Sequence, residues 1–140
     1  MTRHVSLLII ASSFISTFIY SQSCENLSGE WINELGSVLQ IDSITQDGDI
    51  IGVYKSSTGV DGKRFSLKGY VNSNVEFPAE HNISFSVRWN GYGSITSWTG
   101  FCHRLDNQDQ IKTLWHLVRS GKEFDWERVI TNSSIFKPIQ

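Results

Sequence analysis

No block of lysine or arginine occurs anywhere in these 140 residues, so the electrostatic footprint of a nucleic-acid binder is missing. Charge is nearly balanced: 12 basic and 14 acidic residues give a formal net charge of -2. From Glu25 onward there is no sustained helical period, no internal repeat and no low-complexity tract. His81, His103 and His116 lack metal-like spacing and pair with no cysteine cluster. Asp47-Gly48-Asp49 reads as a turn, because the further oxygen ligands of a calcium loop do not follow at the required intervals. No serine–histidine–aspartate set or close carboxylate pair supplies a nucleophile or a base, so Tyr54 does not read as a catalytic acid despite the hydroxyls around it. These absences leave an enzyme and a metal protein without support.

What is present begins with a leader. Met1-Thr2-Arg3-His4 is short and positive, an apolar run follows from Val5 to Ile19, and small residues at Ser21 and Ser23 fit signal-peptidase cleavage. Residues 1–23 are therefore expected to be a signal peptide and 24–140 the mature domain. Ser12, Ser13, Ser16 and Thr17 interrupt the apolar run and make it a poor permanent membrane span. Two cysteines in an exported chain invite a Cys24–Cys102 bridge; the alternative is two free thiols.

The mature chain is large enough for one domain with a real core. It consists of short strand-like runs punctuated by turn signals. These are Ser28 to Asn33, Val38 to Thr45, Ile50 to Lys55, Arg64 to Val71, Ile83 to Trp89, Ser94 to Arg104, Gln110 to Arg119 and Trp126 to Phe136. The stretch from Asn72 to His81, which contains Pro78, reads as a polar connection. Eight consecutive strands joined mostly by hairpins predict an all-β, eight-stranded antiparallel up-and-down β-barrel, with a two-sheet sandwich as the alternative. Closure removes the exposed edges and leaves a lumen for one small ligand.

Strand parity then points to a site. Side chains alternate between the faces of a strand, so Ser94, Thr96 and Trp98 share one side. A structural strand would place aliphatic residues there, since burying a hydroxyl without a partner is costly. Trp89 stands just before the Gly91–Gly93 turn. On the same reasoning Asn33, Ser37, Tyr54, Ser56 and Trp115 can face the same interior. Aromatic walls with a few fixed polar groups suit a compact, partly polar ligand. Asparagine, serine and tyrosine each donate a hydrogen bond, and three donors on one acceptor oxygen would polarise it.

The motifs Trp31-Ile32-Asn33-Glu34-Leu35-Gly36-Ser37, Gly52-Val53-Tyr54-Lys55-Ser56, Trp98-Thr99-Gly100 and Leu114-Trp115-His116-Leu117 together resemble the avidin/streptavidin family of biotin-binding proteins. The resemblance covers Cys24 to Phe136 and implies high-affinity, non-catalytic binding of biotin, with no cofactor. By position it implies that Asn33, Ser37 and Tyr54 donate to the ureido oxygen and that Ser56 accepts one ureido N–H. Thr96 faces the ring sulfur, and Ser94 lies at the carboxylate end of the tail. Trp89, Trp98 and Trp115 form the aromatic box, with Leu117 and Leu35 beside it. Thr58, Gly59 and Val60 form the lid. Trp126 matches a tryptophan inserted into a neighbouring subunit, which implies a homotetramer, and Cys24–Cys102 looks like the avidin disulfide. The implied protein is secreted and extracellular, and sequesters the vitamin.

One position departs from the family. The carboxylate or amide that accepts the second ureido N–H falls on Ser134, and Asn132 could substitute for it only across a bulge. Asn26, Asn82 and Asn132 head N-glycosylation sequons, relevant in a eukaryotic host. A lumen-facing Asn132 could not carry a glycan. Two further readings remain: a lipocalin-like carrier of another small ligand, which the polar lining disfavours, and an avidin-like protein whose biotin binding is weakened through Ser134.

Overall fold

The computed structural model describes residues 22–59, 62–74 and 76–139. The proposed leader up to Ser21, and Val60 of the proposed lid, lie outside the described residues. Eight strands follow one another: β1 (Gly29–Ile32), β2 (Val38–Ile44), β3 (Asp49–Lys55), β4 (Arg64–Asn74), β5 (Phe77–Trp89), β6 (Ser94–Leu105), β7 (Gln108–Arg119) and β8 (Val129–Pro138). Each pairs antiparallel with its neighbour, and β8 returns to β1 to close the barrel. The eight-stranded meander is thus the fold, and the sandwich is not.

Alternation along the strands sorts the side chains. Leu39, Ile41, Ile50, Leu67, Ile83, Phe85, Ile111 and Phe136 fill the interior and are buried. In β6 the inward set is Thr96, Trp98, Gly100 and Cys102. Gly100 is required by close packing, since a Cβ there would lie 1.9 Å from the Lys112 carbonyl oxygen on β7. Cys24 and Cys102 form the expected disulfide with their Cα atoms 5.4 Å apart. The bridge fastens the segment before β1 to the inside of β6, and both cysteines are buried.

The seam between β1 and β8 is the shortest in the barrel. It has two strand pairs, Trp31–Pro138 and Ile32–Lys137. The Ile139 N–H adds a bond to the Glu30 carbonyl at 3.0 Å, and the Glu34 carboxylate accepts the Ile135 N–H at 3.0 Å. The side chain of Glu34 thus does what the missing ladder would otherwise do.

Two expectations are corrected. The Asn72–His81 stretch is not a loop, because β4 and β5 run through it as far as Asn74 and from Phe77. Pairs such as Asn72–Asn82 continue the ladder through backbone groups alone, so polar side chains are no obstacle. Trp126 is not part of the eighth strand. It sits in a short 3-10 turn, Asp125–Glu127, stacked on Phe124 with ring centroids 4.4 Å apart.

Candidate functional site

One end of the barrel holds a cavity of about 340 Å³. Its wall comes from five separate stretches of chain. The β1–β2 turn supplies Asn33, Leu35 and Ser37, and β3 with the loop after it supplies Tyr54, Ser56, Thr58 and Gly59. The end of β5 through β6 supplies Trp89, Tyr92, Ser94, Thr96 and Trp98, while β7 and β8 add Trp115, Leu117 and Ser134. All the residues predicted from the sequence are brought together here except two. Val60 falls outside the described residues, and Trp126 is 75% exposed and away from this wall.

Each polar side chain is held so that one hydrogen-bonding role is left over. The Asn33 carbonyl oxygen accepts the Leu35 N–H at 3.1 Å and the Ser37 N–H at 2.8 Å. That turn bends at Gly36, whose φ of 82° is accessible to glycine without strain. With its oxygen occupied by the turn, Asn33 offers its NH2 as a donor. Ser37 Oγ accepts the Ser57 N–H at 3.1 Å, and the Ser57 hydroxyl donates to the Leu35 carbonyl. Ser37 Oγ also lies 3.1 Å from the Ser57 oxygen, so its hydroxyl hydrogen can turn either to Ser57 or to a ligand in the cavity.

Tyr54 is 4% exposed. Burial pushes its phenol up to about 12, the Ser37 hydroxyl beside it pulls the other way, and the negative charge of Glu34 adds to the rise. The phenol thus remains a neutral donor through the physiological range. The unfolded phenol ionises near 10.0, so between that value and about 12 the unfolded chain has released a proton that the folded chain keeps. Rising pH then favours unfolding across this window, by on the order of 2–3 kcal/mol once it is crossed. Urea denaturation from pH 9 to 12 should show this alkaline loss in the wild type and a smaller loss in Tyr54→Phe.

Ser56 has the opposite polarity. Its hydroxyl donates to the Thr58 carbonyl at 2.7 Å and its oxygen accepts the Thr58 N–H at 3.2 Å, leaving one lone pair to accept from a ligand. Thr96 Oγ1 accepts the Trp89 indole N–H at 2.8 Å, which fixes the indole and leaves the threonine hydrogen free. Trp98 lies between Phe85 (centroids 4.9 Å apart, planes 11° apart) and Tyr54 (4.9 Å). Its buried indole N–H has no hydrogen-bond partner among the described residues, a defect worth about 1–3 kcal/mol.

Ser134 lines the cavity, and its Oγ accepts the Trp115 indole N–H at 3.2 Å. Asn132 does not replace it. The β7–β8 register is continuous, with Thr113 opposite Ser134 and Trp115 opposite Asn132 and no bulge between them. Asn132 is exposed, and its side-chain oxygen accepts the adjacent Ser133 N–H at 2.8 Å. The site thus presents donors from Asn33, Ser37 and Tyr54, an acceptor at Ser56 and indole walls.

Tyr92 belongs to the wall and was missed. It sits in the β5–β6 turn between Gly91 and Gly93, where a turn reading draws attention to the glycines. The available signal was an aromatic residue three positions after Trp89, overhanging the same open end. Phe65 holds both rings from behind, with centroids 4.9 Å from Trp89 and 6.1 Å from Tyr92. Among the described residues no group of three or more His, Cys, Asp or Glu side chains could hold a metal ion.

A family model described as the Avidin family matches residues 21–139. Avidin from Gallus gallus is 27% identical over 140 residues, covering 96% of this chain and 91% of avidin. Avidin-related protein 4/5 from Gallus gallus is 26% identical over 124 residues, covering 86% and 82% of the two chains. Among solved structures, the chain is similar to Xenavidin, with a TM-score of 0.73, 30% identity and coverage of 84% of this chain and all of that one. It is also similar to a shwanavidin variant solved as a biotin complex, with a TM-score of 0.66 and 29% identity over 81% of this chain and 98% of that one.

Proposed function

The chain belongs to the avidin family, and from that premise we propose that it is a secreted, non-catalytic binder of biotin that sequesters the vitamin. The observation that carries the reading is the donor set. Asn33 and Tyr54 each have a hydrogen left to donate because the local turn and burial commit their other roles, and Ser37 can turn its hydrogen from the Ser57 oxygen to a ligand. A urea oxygen is an acceptor that three such donors polarise. Ser56, with its own hydrogen committed to Thr58, accepts one urea N–H. Thr96 faces the ring sulfur, and Trp89, Trp98 and Trp115 enclose the apolar edges. Because these groups are already positioned, little ordering accompanies association. Tryptophan fluorescence tests this directly: a blue shift saturating at one equivalent of biotin per chain is expected. Silence to biotin with a response to fatty acids or retinoids would replace this reading with a lipocalin-like one.

A second reading, weakened affinity, rests on Ser134. Its oxygen already accepts the Trp115 indole, and it brings no charge. Ser134→Asp supplies a charge-assisted acceptor for the second urea N–H. The expected result is tighter biotin binding by about 10- to 100-fold, read from the dissociation rate. An unchanged rate would show that the urea N–H is already satisfied.

Assembly into a homotetramer is the third part of the proposal. Ile95, Phe101, Leu114, Val118, Val129 and Ile135 are exposed apolar residues on the outward face of β6, β7 and β8. Contiguous exposed apolar surface of this kind suits burial between subunits. Trp126, exposed and stacked on Phe124, suits insertion into a neighbour's cavity mouth. Light scattering reads the state, with four chains per particle expected. Asn26, Asn82 and Asn132 are the proposed glycan acceptors, and exposed Asn132 is compatible with that role.

A further inference from the structure

We infer that Asn90–Gly91 is a self-modifying site, where the chain loses ammonia and turns Asn90 into isoaspartate, and that this change loosens one wall of the cavity. The Asn-Gly pair occurs once in the chain. It forms the middle of the β5–β6 turn, which the Tyr92 N–H closes on the Trp89 carbonyl at 3.0 Å. Gly91 has a φ of 84°, and a Cβ there would meet nothing within 4 Å, so open space surrounds the residue whose nitrogen must react. Both residues are exposed. Among the described residues neither the Asn90 side chain nor the Gly91 N–H makes a hydrogen bond. By contrast, Asn72–Ser73 and Asn132–Ser133 lie within β4 and β8, where pairing with β5 and β7 holds their backbone extended.

The Gly91 nitrogen, on losing its proton, attacks the side-chain carbonyl carbon of Asn90. A C–N bond forms, the bond to the side-chain nitrogen breaks, and that nitrogen leaves as ammonia with the proton. Water then opens the cyclic imide at either carbonyl. One opening gives aspartate with the original backbone. The other gives isoaspartate, whose main chain runs through the former side chain and is one carbon longer. Trp89 and Tyr92, on either side of the altered link, both line the cavity, and Trp89 stands opposite Ser94 in the ladder. A longer link cannot keep the Tyr92–Trp89 turn bond in place, so the indole and the phenol part. Arg88, Arg119 and Arg128 line the same hollow on the rim as Asn90, so the carboxylate that forms has cations close by.

Only the effect on ligand release rests on the biotin reading; the modification itself does not. The test ages the purified chain at mildly alkaline pH beside Asn90→Gln, which disfavours the five-membered ring, and fresh Asn90→Asp, which carries the charge on an unaltered backbone. Peptide mass spectrometry should show a one-dalton gain in the peptide containing Asn90, faster at higher pH and absent from Asn90→Gln, with isoaspartate methyltransferase labelling the same peptide. A fluorescent biotin conjugate should leave the isoaspartate fraction about two- to ten-fold faster than the fresh chain, the size of one lost hydrogen bond. Fresh Asn90→Asp and aged Asn90→Gln should release it as the fresh wild type does. Tryptophan emission should shift to the red on ageing, which reads the wall without any ligand. No gain at Asn90, or equal gains at Asn72 and Asn132, would overturn the site. An isoaspartate fraction with unchanged emission and release would overturn its effect on the wall. A fresh chain that never binds biotin would overturn the biotin reading, and mass and emission would still decide this one.

Discussion

Asn33→Asp is expected to leave the barrel folded and to weaken biotin binding by about 100- to 1,000-fold or more near neutral pH. The substitution is informative because Asn33 does two jobs with two atoms. Its oxygen holds the Leu35 and Ser37 N–H groups, and its NH2 faces the cavity. Aspartate keeps the first job: one carboxylate oxygen can take over both turn bonds. The second atom becomes an oxygen aimed at the urea oxygen, so a donor is lost and two acceptors are opposed. A lost hydrogen bond in a buried site costs about 1–3 kcal/mol, and setting a carboxylate oxygen against the urea oxygen adds a repulsion between acceptors. The loss should shrink as the pH is lowered, because the introduced carboxyl, once protonated, can donate again. Thermal denaturation separates the two jobs. A normal melting temperature with lost binding supports the assignment, whereas a collapsed melting temperature would place Asn33 in the turn only.

The second large effect concerns the disulfide. Cys24→Ala with Cys102→Ala should lower folding stability by about 2–5 kcal/mol, with the melting temperature falling by about 10 °C or more. The sequence separation of 78 residues makes the bridge a strong restraint on the unfolded chain. Leu27, three residues on from Cys24, is buried in the core, and its carbonyl accepts the Trp31 indole N–H at 2.8 Å. The bridge thus fastens a segment that covers the interior. The Cys102 side chain lies on the same face of β6 as Thr96 and Trp98, farther along the strand from the cavity. Binding by the folded fraction should therefore survive. Differential scanning calorimetry with and without reductant checks the stability change, and biotin titration of the double variant checks the binding.

The strand plan and most of the cavity wall could be read from the sequence, for a physical reason. A strand has a period of two, so hydroxyls at Ser94 and Thr96 beside Trp98 can only mean a polar inner face, and the inner faces of a closed barrel meet. Ordered motifs resembling a known family fixed which hydroxyls mattered. What was missed depended on geometry outside that period. Tyr92 lies in a turn whose φ angles, not its alternation, aim the ring. Ser57 has the wrong parity for the lumen, yet it anchors Ser37 through its N–H and Leu35 through its hydroxyl. The Asn72–His81 stretch looks like a loop because sequence reports side-chain polarity, whereas a hairpin ladder is made by the backbone. The unpaired indole N–H of Trp98 is a property of packing among the described residues and leaves no mark on the sequence.

The short closure between β1 and β8 has a consequence for how occupancy is felt by the whole molecule. Asn33 leaves the end of β1, and Ser134 stands on β8, so any guest touching both acts as a rivet across the weakest joint of the cylinder. Occupancy should then slow amide hydrogen exchange at Trp31, Ile32, Lys137 and Ile139 more than along the longer β6–β7 hairpin. The barrel would breathe like a cask with a loose stave when empty and behave as a hooped one when full, so the grip on the guest and the integrity of the container rise together.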